Sequence, residues 1–95
     1  MNRRTFEINK ASQKIKTSHP NCLLCGRQPV DGAHIVPRNN PAKKNDPTKE
    51  ENIVSLCRRC HVTYDKNKTM ESRMDFWIEN GFIQIAQRIR NIIEP

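Results

Sequence analysis

The sequence predicts a small α+β domain in which two short strands and a helix, stapled by cysteines, precede a pair of C-terminal helices. Three observations support this fold class. The chain has 95 residues, 35% of them hydrophobic and 5% aromatic, so it has room for one small core that needs an added constraint. Its four cysteines form two C-x-x-C pairs. Between the pairs the chain is rich in Gly, Pro and Asn, and after them it continues into a tail with helical apolar spacing.

The first segment, residues 1–18, is polar and basic, with Phe6, Ile8 and Ile15 as scattered apolar positions. This composition favours a basic N-terminal arm, or a short and weak helix over about residues 7–16. We therefore expect the segment to be only partly ordered.

The second segment, residues 19–68, carries the cysteines and is interrupted repeatedly by Gly, Pro and Asn, which exclude a long helix. Strands are predicted over residues 30–36 and 52–56, joined by a lysine-bearing loop. After Cys57 no residue breaks a helix, so a helix of two to three turns is predicted there.

The third segment, residues 69–95, predicts two helices that pack on the same domain. Thr69 is suited to cap the first helix, and Gly81 is placed to end it. The spacing predicts a packing stripe, or alternatively a surface for self-association or for another protein. The apolar residues of the pair are Phe76, Trp77, Ile78, Phe82, Ile85, Ala86, Ile89 and Ile93.

The two cysteine pairs, Cys22 with Cys25 and Cys57 with Cys60, are separated by 31 residues. Two C-x-x-C turns can together supply four thiolates in the tetrahedral arrangement that structural Zn²⁺ prefers, with Zn–S distances of about 2.3 Å. A closed shell of four sulfurs has no open position, so this ion is predicted to be structural. The alternatives are an iron–sulfur cluster and a redox pair, although a redox pair needs only one C-x-x-C and a βαβ unit.

The positive charge is concentrated in the part that carries the cysteines. Seventeen Lys and Arg against ten Asp and Glu give a net charge of +7. Residues 1–68 have a balance of +8 and residues 69–95 a balance of −1. This distribution favours a polyanionic partner such as nucleic acid.

No apolar run is long enough to span a bilayer, and none follows the N-terminal arginines as it would in a signal peptide. The sequence therefore predicts no membrane partner and a cytoplasmic location. In a reducing compartment, four cysteines are expected to hold a metal ion rather than to form disulfides.

Three polar residues follow one another around the cysteine pairs. His34 lies in the first predicted strand within the run DGAHIVPR, Asn52 begins the second strand, and His61 directly follows the second cysteine pair. With eight residues between Asn52 and His61, this arrangement resembles the HNH motif of the ββα-metal nucleases over about residues 20–68. The tail is also similar to that of short phage and prophage members of the family.

The resemblance implies a ββα-metal finger that acts as a metal-dependent DNA endonuclease in a bacterial cell or a phage-infected host. It implies that His34 is the general base and that Asn52 and His61 hold a Mg²⁺-class ion at the scissile phosphate of duplex DNA. Alternatively, Asn52 orients His34 by hydrogen bonding. Histidine suits the role of base because its reference pKa of about 6.5 leaves it largely neutral at pH 7.

One residue departs from the family pattern. Members commonly have Asp or His as a metal ligand immediately before the catalytic histidine, whereas this chain has Ala33. Three outcomes are open: more water in the ion's shell, a substitute carboxylate, or an inactive site. Asp65 is the best substitute because it lies four residues after His61 on the predicted helix. Asp31, two residues before Ala33 in the strand, is the second choice.

Seven basic residues are predicted to surround this site and to contact phosphates, which would make binding sensitive to salt and largely independent of sequence. Two rival functions remain open, a non-catalytic zinc module that binds nucleic acid and a protein-docking module that uses the C-terminal stripe. The seven residues are Arg27, Arg38, Lys43, Lys44, Lys49, Arg58 and Arg59.

Overall fold

The computed structural model describes residues 2–94. Within them the chain forms four α-helices and two strands, with a 3-10 turn before the second strand. The small α+β architecture predicted from the sequence is confirmed. In chain order the elements are α1 (Arg3–Ser18), β1 (Asp31–His34), the 3-10 turn (Glu50–Asn52), β2 (Ile53–Leu56), α2 (Arg58–Asp65), α3 (Met70–Glu79) and α4 (Ile83–Ile93).

The two strands pair antiparallel, with Asp31 opposite Leu56 and His34 opposite Ile53. Both strands are shorter than predicted. Ile35 N–H still donates to the Asn52 carbonyl at 3.0 Å, but Asn52 already belongs to the 3-10 turn, so the ladder ends there.

Helix α1 corrects the prediction of an arm or a short weak helix. It begins after Asn2, whose side-chain oxygen accepts a hydrogen bond from Thr5 N–H at 2.8 Å, and it continues for 16 residues. Ile8 and Ala11 are buried, and the helix packs against both strands. Ile8, Ala11 and Ile15 follow helical spacing, and this pattern of one apolar face was the signal that pointed to a packed helix.

The approach of α1 to the sheet is close at one position. A Cβ added to Gly32 in β1 would lie 2.1 Å from the Ser12 hydroxyl oxygen of α1. Glycine at this position therefore lets the helix lie directly over the strand, as a larger residue would not.

Helix α2 follows the second cysteine pair as predicted, and α3 and α4 form the predicted C-terminal pair. Thr69 caps α3 by accepting a hydrogen bond from Ser72 N–H at 3.0 Å. Gly81, with φ of +86°, lies in the left-handed conformation just past the helix end, where glycine is favoured. At the end of α4 it is Ile92 that is buried, whereas the predicted Ile93 is only partly covered.

The C-terminal helices pack through aromatic side chains. Tyr64 of α2 lies 5.1 Å, between ring centroids, from both Phe76 and Trp77, and Trp77 lies 5.7 Å from Phe82. Trp77 is completely buried, and Ile85, Ala86 and Ile89 join the same core. Most of the stripe therefore packs inside the protein, whereas self-association through the helical pair stays a prediction. Within residues 2–94, no helix combines the length and apolar character needed to cross a bilayer.

Candidate metal centre and active-site cleft

Four cysteines come together where β2 ends and α2 begins. They form the cysteine cluster, which consists of Cys22, Cys25, Cys57 and Cys60. Their sulfur atoms all lie within 4.8 Å of one another, and the sulfurs of Cys25 and Cys57 are 3.6 Å apart. A tetrahedral ion with Zn–S bonds of about 2.3 Å would separate its sulfurs by about 3.8 Å. The donor set therefore fits a structural metal ion, and its four-sulfur chemistry matches zinc.

Local backbone geometry shapes the first cysteine turn. Gly26 N–H donates to the Cys22 carbonyl at 2.8 Å, and Gly26 adopts a φ of +77° that closes the turn. Burial disfavours the Cys22 thiolate, but backbone N–H groups of Cys57, Cys25 and Leu24 outweigh it and lower the pKa of Cys22 to about 6. The turn is therefore organised to hold a thiolate.

The second cysteine turn leads directly into α2. Cys57 is the N-cap residue, and its carbonyl accepts a hydrogen bond from His61 N–H at 2.8 Å. The position of His61 is consequently tied to the cysteine cluster by one turn of helix.

A second site, the histidine cleft, opens between α1, β1, the loop after β1, α2 and the first half of α3. It has a volume of about 550 Å³, and His34, His61 and Asp65 all line it. The structure thus brings together three of the residues predicted for catalysis and ion binding.

His34 is half-buried, and its Nε2 lies 2.9 Å from the Pro47 carbonyl oxygen. A carbonyl oxygen can only accept, so this contact assigns the proton to Nε2 and leaves Nδ1 as the proton acceptor. Burial lowers the pKa of His34, and the positive charge of Arg38 acts in the same direction, against the Pro47 hydrogen bond. His34 is therefore a neutral imidazole at pH 7, as a general base requires.

Asn52 is not among the described residues that line the histidine cleft. Its side chain is buried, and its amide nitrogen donates to the Asp46 carbonyl at 2.9 Å. Asp46 also binds Thr48 N–H through its carboxylate at 2.9 Å, so the segment that carries Pro47 is held on both sides. Asn52 is therefore linked to the segment whose Pro47 carbonyl contacts the ring of His34.

His61 lies between two carboxylates. Its Nδ1 lies 2.9 Å from an Asp31 oxygen, and its Nε2 lies 3.2 Å from an Asp65 oxygen. When Nδ1 donates its proton to Asp31, Nε2 presents a lone pair beside the Asp65 carboxylate. Two electron-rich groups this close require a proton or a cation between them, and imidazole with carboxylate is a suitable donor pair for a divalent ion.

The two candidates to replace the missing ligand at Ala33 therefore occupy different positions. Ala33 itself is fully buried in the core. Asp65 lines the cleft beside His61 Nε2, whereas Asp31 contacts the opposite ring nitrogen and pairs with Arg58 at 3.3 Å.

The predicted phosphate-binding residues are all exposed, but they are not all at the cleft. Arg38 lines it, together with Lys68, which the sequence reasoning did not single out. Arg58 is engaged with Asp31. The remaining exposed residues of the predicted set, none of which lines the cleft, are Arg27, Lys43, Lys44, Lys49 and Arg59.

Arg73 of α3 is a cleft residue that the sequence reasoning missed. It is buried and lines the cleft, although it lies in the tail that was predicted to serve packing or docking and not the site. A signal was available, because Met70, Arg73 and Trp77 follow the i, i+3, i+7 spacing of one helical face. An arginine on the apolar face of a helix needs a buried partner for its charge.

Two antiparallel strands, a following helix and a four-cysteine cluster define a small ββα-metal domain with histidines at the strand and helix. Residues 22–67 match the family model described as HNH endonuclease, and this match confirms the resemblance seen in the sequence. No curated protein and no solved structure matches the chain. An HNH domain indicates a nuclease or another function that involves nucleic acid.

Proposed function

We propose that this protein is a metal-dependent endonuclease that hydrolyses phosphodiester bonds in duplex DNA. The observation that carries the proposal is the shared cleft, which is lined by His34, whose Nε2 is held by Pro47, together with His61 and Asp65. A base and an ion-binding pair around one cavity are what attack on a phosphodiester needs.

In this proposal, His34 Nδ1 takes a proton from a water molecule that attacks the phosphorus. The Pro47 carbonyl holds the opposite nitrogen, and Asn52 supports the loop that carries Pro47. Because burial lowers the pKa of His34, the ring keeps its lone pair available at neutral pH.

His61 and Asp65 would hold a Mg²⁺-class ion, which would supply positive charge to the phosphate and to the leaving oxygen. In this proposal, Asp31 fixes the His61 ring by accepting a hydrogen bond from its Nδ1–H, as carboxylates commonly do behind metal-binding histidines. The cysteine cluster would hold Zn²⁺ in a purely structural role.

Arg38 and Lys68 are proposed to contact phosphates at the cleft, with the other exposed basic residues extending the contact along the backbone. Hydrolysis would leave a 5′-phosphate, as the family resemblance implies. Four thiols that hold zinc suit a reducing environment, which supports a proposed cytoplasmic site of action in a bacterial cell or a phage-infected host.

We also propose that the chain is organised as an N-terminal segment, residues 1–18, a zinc-bound HNH domain, residues 19–68, and a helical pair, residues 69–95. The contacts of α1 with both strands and of Tyr64 with α3 support one folded unit that includes all three.

The test is incubation of the zinc-loaded protein with plasmid DNA and Mg²⁺ or Mn²⁺. His34→Ala is expected to lower the cleavage rate by about 10²- to 10⁴-fold, the usual contribution of a general base. His19→Ala is the matched control because His19 is exposed and outside the cleft. Undiminished cleavage by His34→Ala, with zinc content and melting unchanged, would contradict the mechanism.

The second candidate is a zinc module that binds nucleic acid without cutting it. The burial of Ala33, where the family commonly has an ion ligand, favours this reading. Such a module would bind DNA with the same affinity in wild type, His34→Ala and Asp65→Asn, and would leave plasmid intact with any divalent ion.

A further inference from the structure

Arg73 is the one Asp, Glu, Lys or Arg side chain buried among residues 2–94, with 5% of its surface exposed. An arginine cannot give up its proton inside a protein, so its burial is costly unless each face of the guanidinium finds a partner. The partners of Arg73 therefore indicate what its burial accomplishes.

Three of these partners are backbone carbonyls from two different elements. Nε donates to Asn67 at 2.9 Å, just beyond α2, and one terminal nitrogen lies 3.4 Å from the His34 carbonyl and 3.5 Å from that of Ile35. The guanidinium also stacks over the Tyr64 ring, 4.5 Å from its centroid. Arg73 thus connects the strand of the proposed base with the end of the helix that bears His61.

The fourth polar partner is Asp65, a residue that lines the cleft. The other terminal nitrogen of Arg73 lies 3.5 Å from one oxygen of Asp65, while the second oxygen of that carboxylate lies 3.2 Å from His61 Nε2. Asp65 is half-exposed, so without this contact its side chain is free to rotate into solvent. Arg73 holds one oxygen, and the other is thereby directed at His61.

We infer that Arg73 is a positioning residue of the ion-binding site, which acts through Asp65 to direct its carboxylate oxygen toward His61. The inference rests on the proposed function in one respect, namely that His61 and Asp65 hold a divalent ion. It adds that the C-terminal helical pair contributes to the cleft and does more than complete the core.

A purely structural arginine is the competing explanation, since Arg73 also binds three carbonyls and the Tyr64 ring. The two explanations differ in their dependence on Asp65. A positioning residue loses its effect on the ion when Asp65 can no longer ligate, whereas a structural residue disturbs the site equally with or without that carboxylate.

The experiment measures Mn²⁺ binding to the zinc-loaded full-length protein, without DNA, by isothermal titration calorimetry. The variants are Arg73→Met, Asp65→Asn and the double variant, with Arg88→Met as the matched control. Arg88 is exposed and donates to the Glu51 carbonyl at 2.9 Å, away from the cleft. Arg73→Met is expected to weaken Mn²⁺ binding about tenfold, the typical effect of removing a group that orients a ligand.

In the Asp65→Asn background, Arg73→Met is expected to change the Mn²⁺ affinity less than twofold, and Arg88→Met is expected to have no effect. If Arg73→Met fails to fold, Arg73→Lys serves instead, because it keeps the charge and cannot reach all four partners at once. Zinc content and thermal melting verify the fold of each variant.

An equal loss with and without Asp65, or no loss at all, would overturn the inference, as would a wild-type protein whose Mn²⁺ binding is insensitive to Asp65→Asn. Plasmid cleavage separates this result from the proposed function. Coupling between Arg73 and Asp65 in a protein that cuts no DNA would refute the nuclease alone, and cleavage with additive binding effects would refute the positioning role alone.

Discussion

The cysteine cluster and the histidine cleft share helix α2 but use its two ends differently. At the first turn, Cys57 and Cys60 join two other thiols in a set of four identical donors with no open position. Further along, His61 and Asp65 present unlike donors to an open cleft of about 550 Å³. The eight-residue helix and its N-cap residue therefore carry thiolates suited to stability at one end, and a histidine and a carboxylate suited to chemistry farther along.

The largest expected effect tests the cysteine end of this comparison. Cys60→Ser removes one of four thiolates, and metal-coupled folding of small zinc domains is worth about 10 kcal/mol or more, as much as the total stability of such a chain. We expect loss of the cooperative thermal transition, followed by circular dichroism, and loss of zinc from the purified protein. His34→Ala should keep both, and a Cys60→Ser protein that still melts cooperatively with bound zinc would break the comparison.

A substitution at Gly32 tests how α1 packs on β1 beside the cleft, and it leaves the cysteines unchanged. Gly32→Ala would place a methyl group against Ser12 of α1, and forced contacts of this kind cost about 1–3 kcal/mol. Urea denaturation should show this loss with zinc content unchanged. Ser12→Ala in the same chain should recover part of it, because it removes the nearest atom. Equal midpoints for wild type and Gly32→Ala would mean that α1 does not lie over β1.

Charge at the cleft is expected to have a smaller effect. Replacing Arg38 and Lys68 by Gln should weaken DNA binding and reduce the slope of log K against log salt by about 1 for each phosphate that the protein no longer neutralises. Lys43→Gln with Lys44→Gln is the matched pair, since both residues are exposed outside the cleft. Fluorescence anisotropy over a salt series measures both slopes. If the Lys43→Gln and Lys44→Gln pair lowers the slope more than the substitutions at Arg38 and Lys68 do, DNA approaches the protein from a side other than the cleft.

The smallest expected effect concerns pH. The pKa of His34 is lowered from 6.5 by burial, so the folded protein binds this proton less readily than the unfolded chain. The contribution to stability is complete above about pH 6.5 and is lost as the pH falls through the folded pKa. Urea midpoints at pH 7.5 and below should therefore decline more in wild type than in His34→Gln, and the acid limb of the cleavage rate should lie below pH 6.5. An identical pH dependence of the two proteins would contradict this.

Much of the fold followed from local signals in the sequence. The C-x-x-C pairs identified the cluster, breakers bounded the strands, and Thr69 and Gly81 marked the ends of α3, because each of these signals acts over a few residues. His61 and Asp65 were placed together for the same reason, as neighbours one helical turn apart.

What could not be predicted depends on contacts between distant segments. The apolar face of α1 is visible in the sequence, but its packing against Gly32, twenty residues after Ser12, is not, so only an arm or a short weak helix was predicted. The role of Asn52 was left open because its partner, the Asp46 carbonyl, is a backbone group that no side-chain pattern reveals. Arg73 was overlooked because it contacts the His34 carbonyl and the Asp65 carboxylate from a third element, α3.

The absence of a side chain at Gly32 of β1 also predicts a difference between this chain and relatives that carry a side chain there. A side chain at that position presses against a helix that lies across the strand, because its Cβ meets Ser12. A relative that carries a bulky residue there should hold its N-terminal helix farther from the strand, or lack it. The residue two places before His34 is therefore a one-letter marker of how closely a helix can lie over the strand beside the cleft.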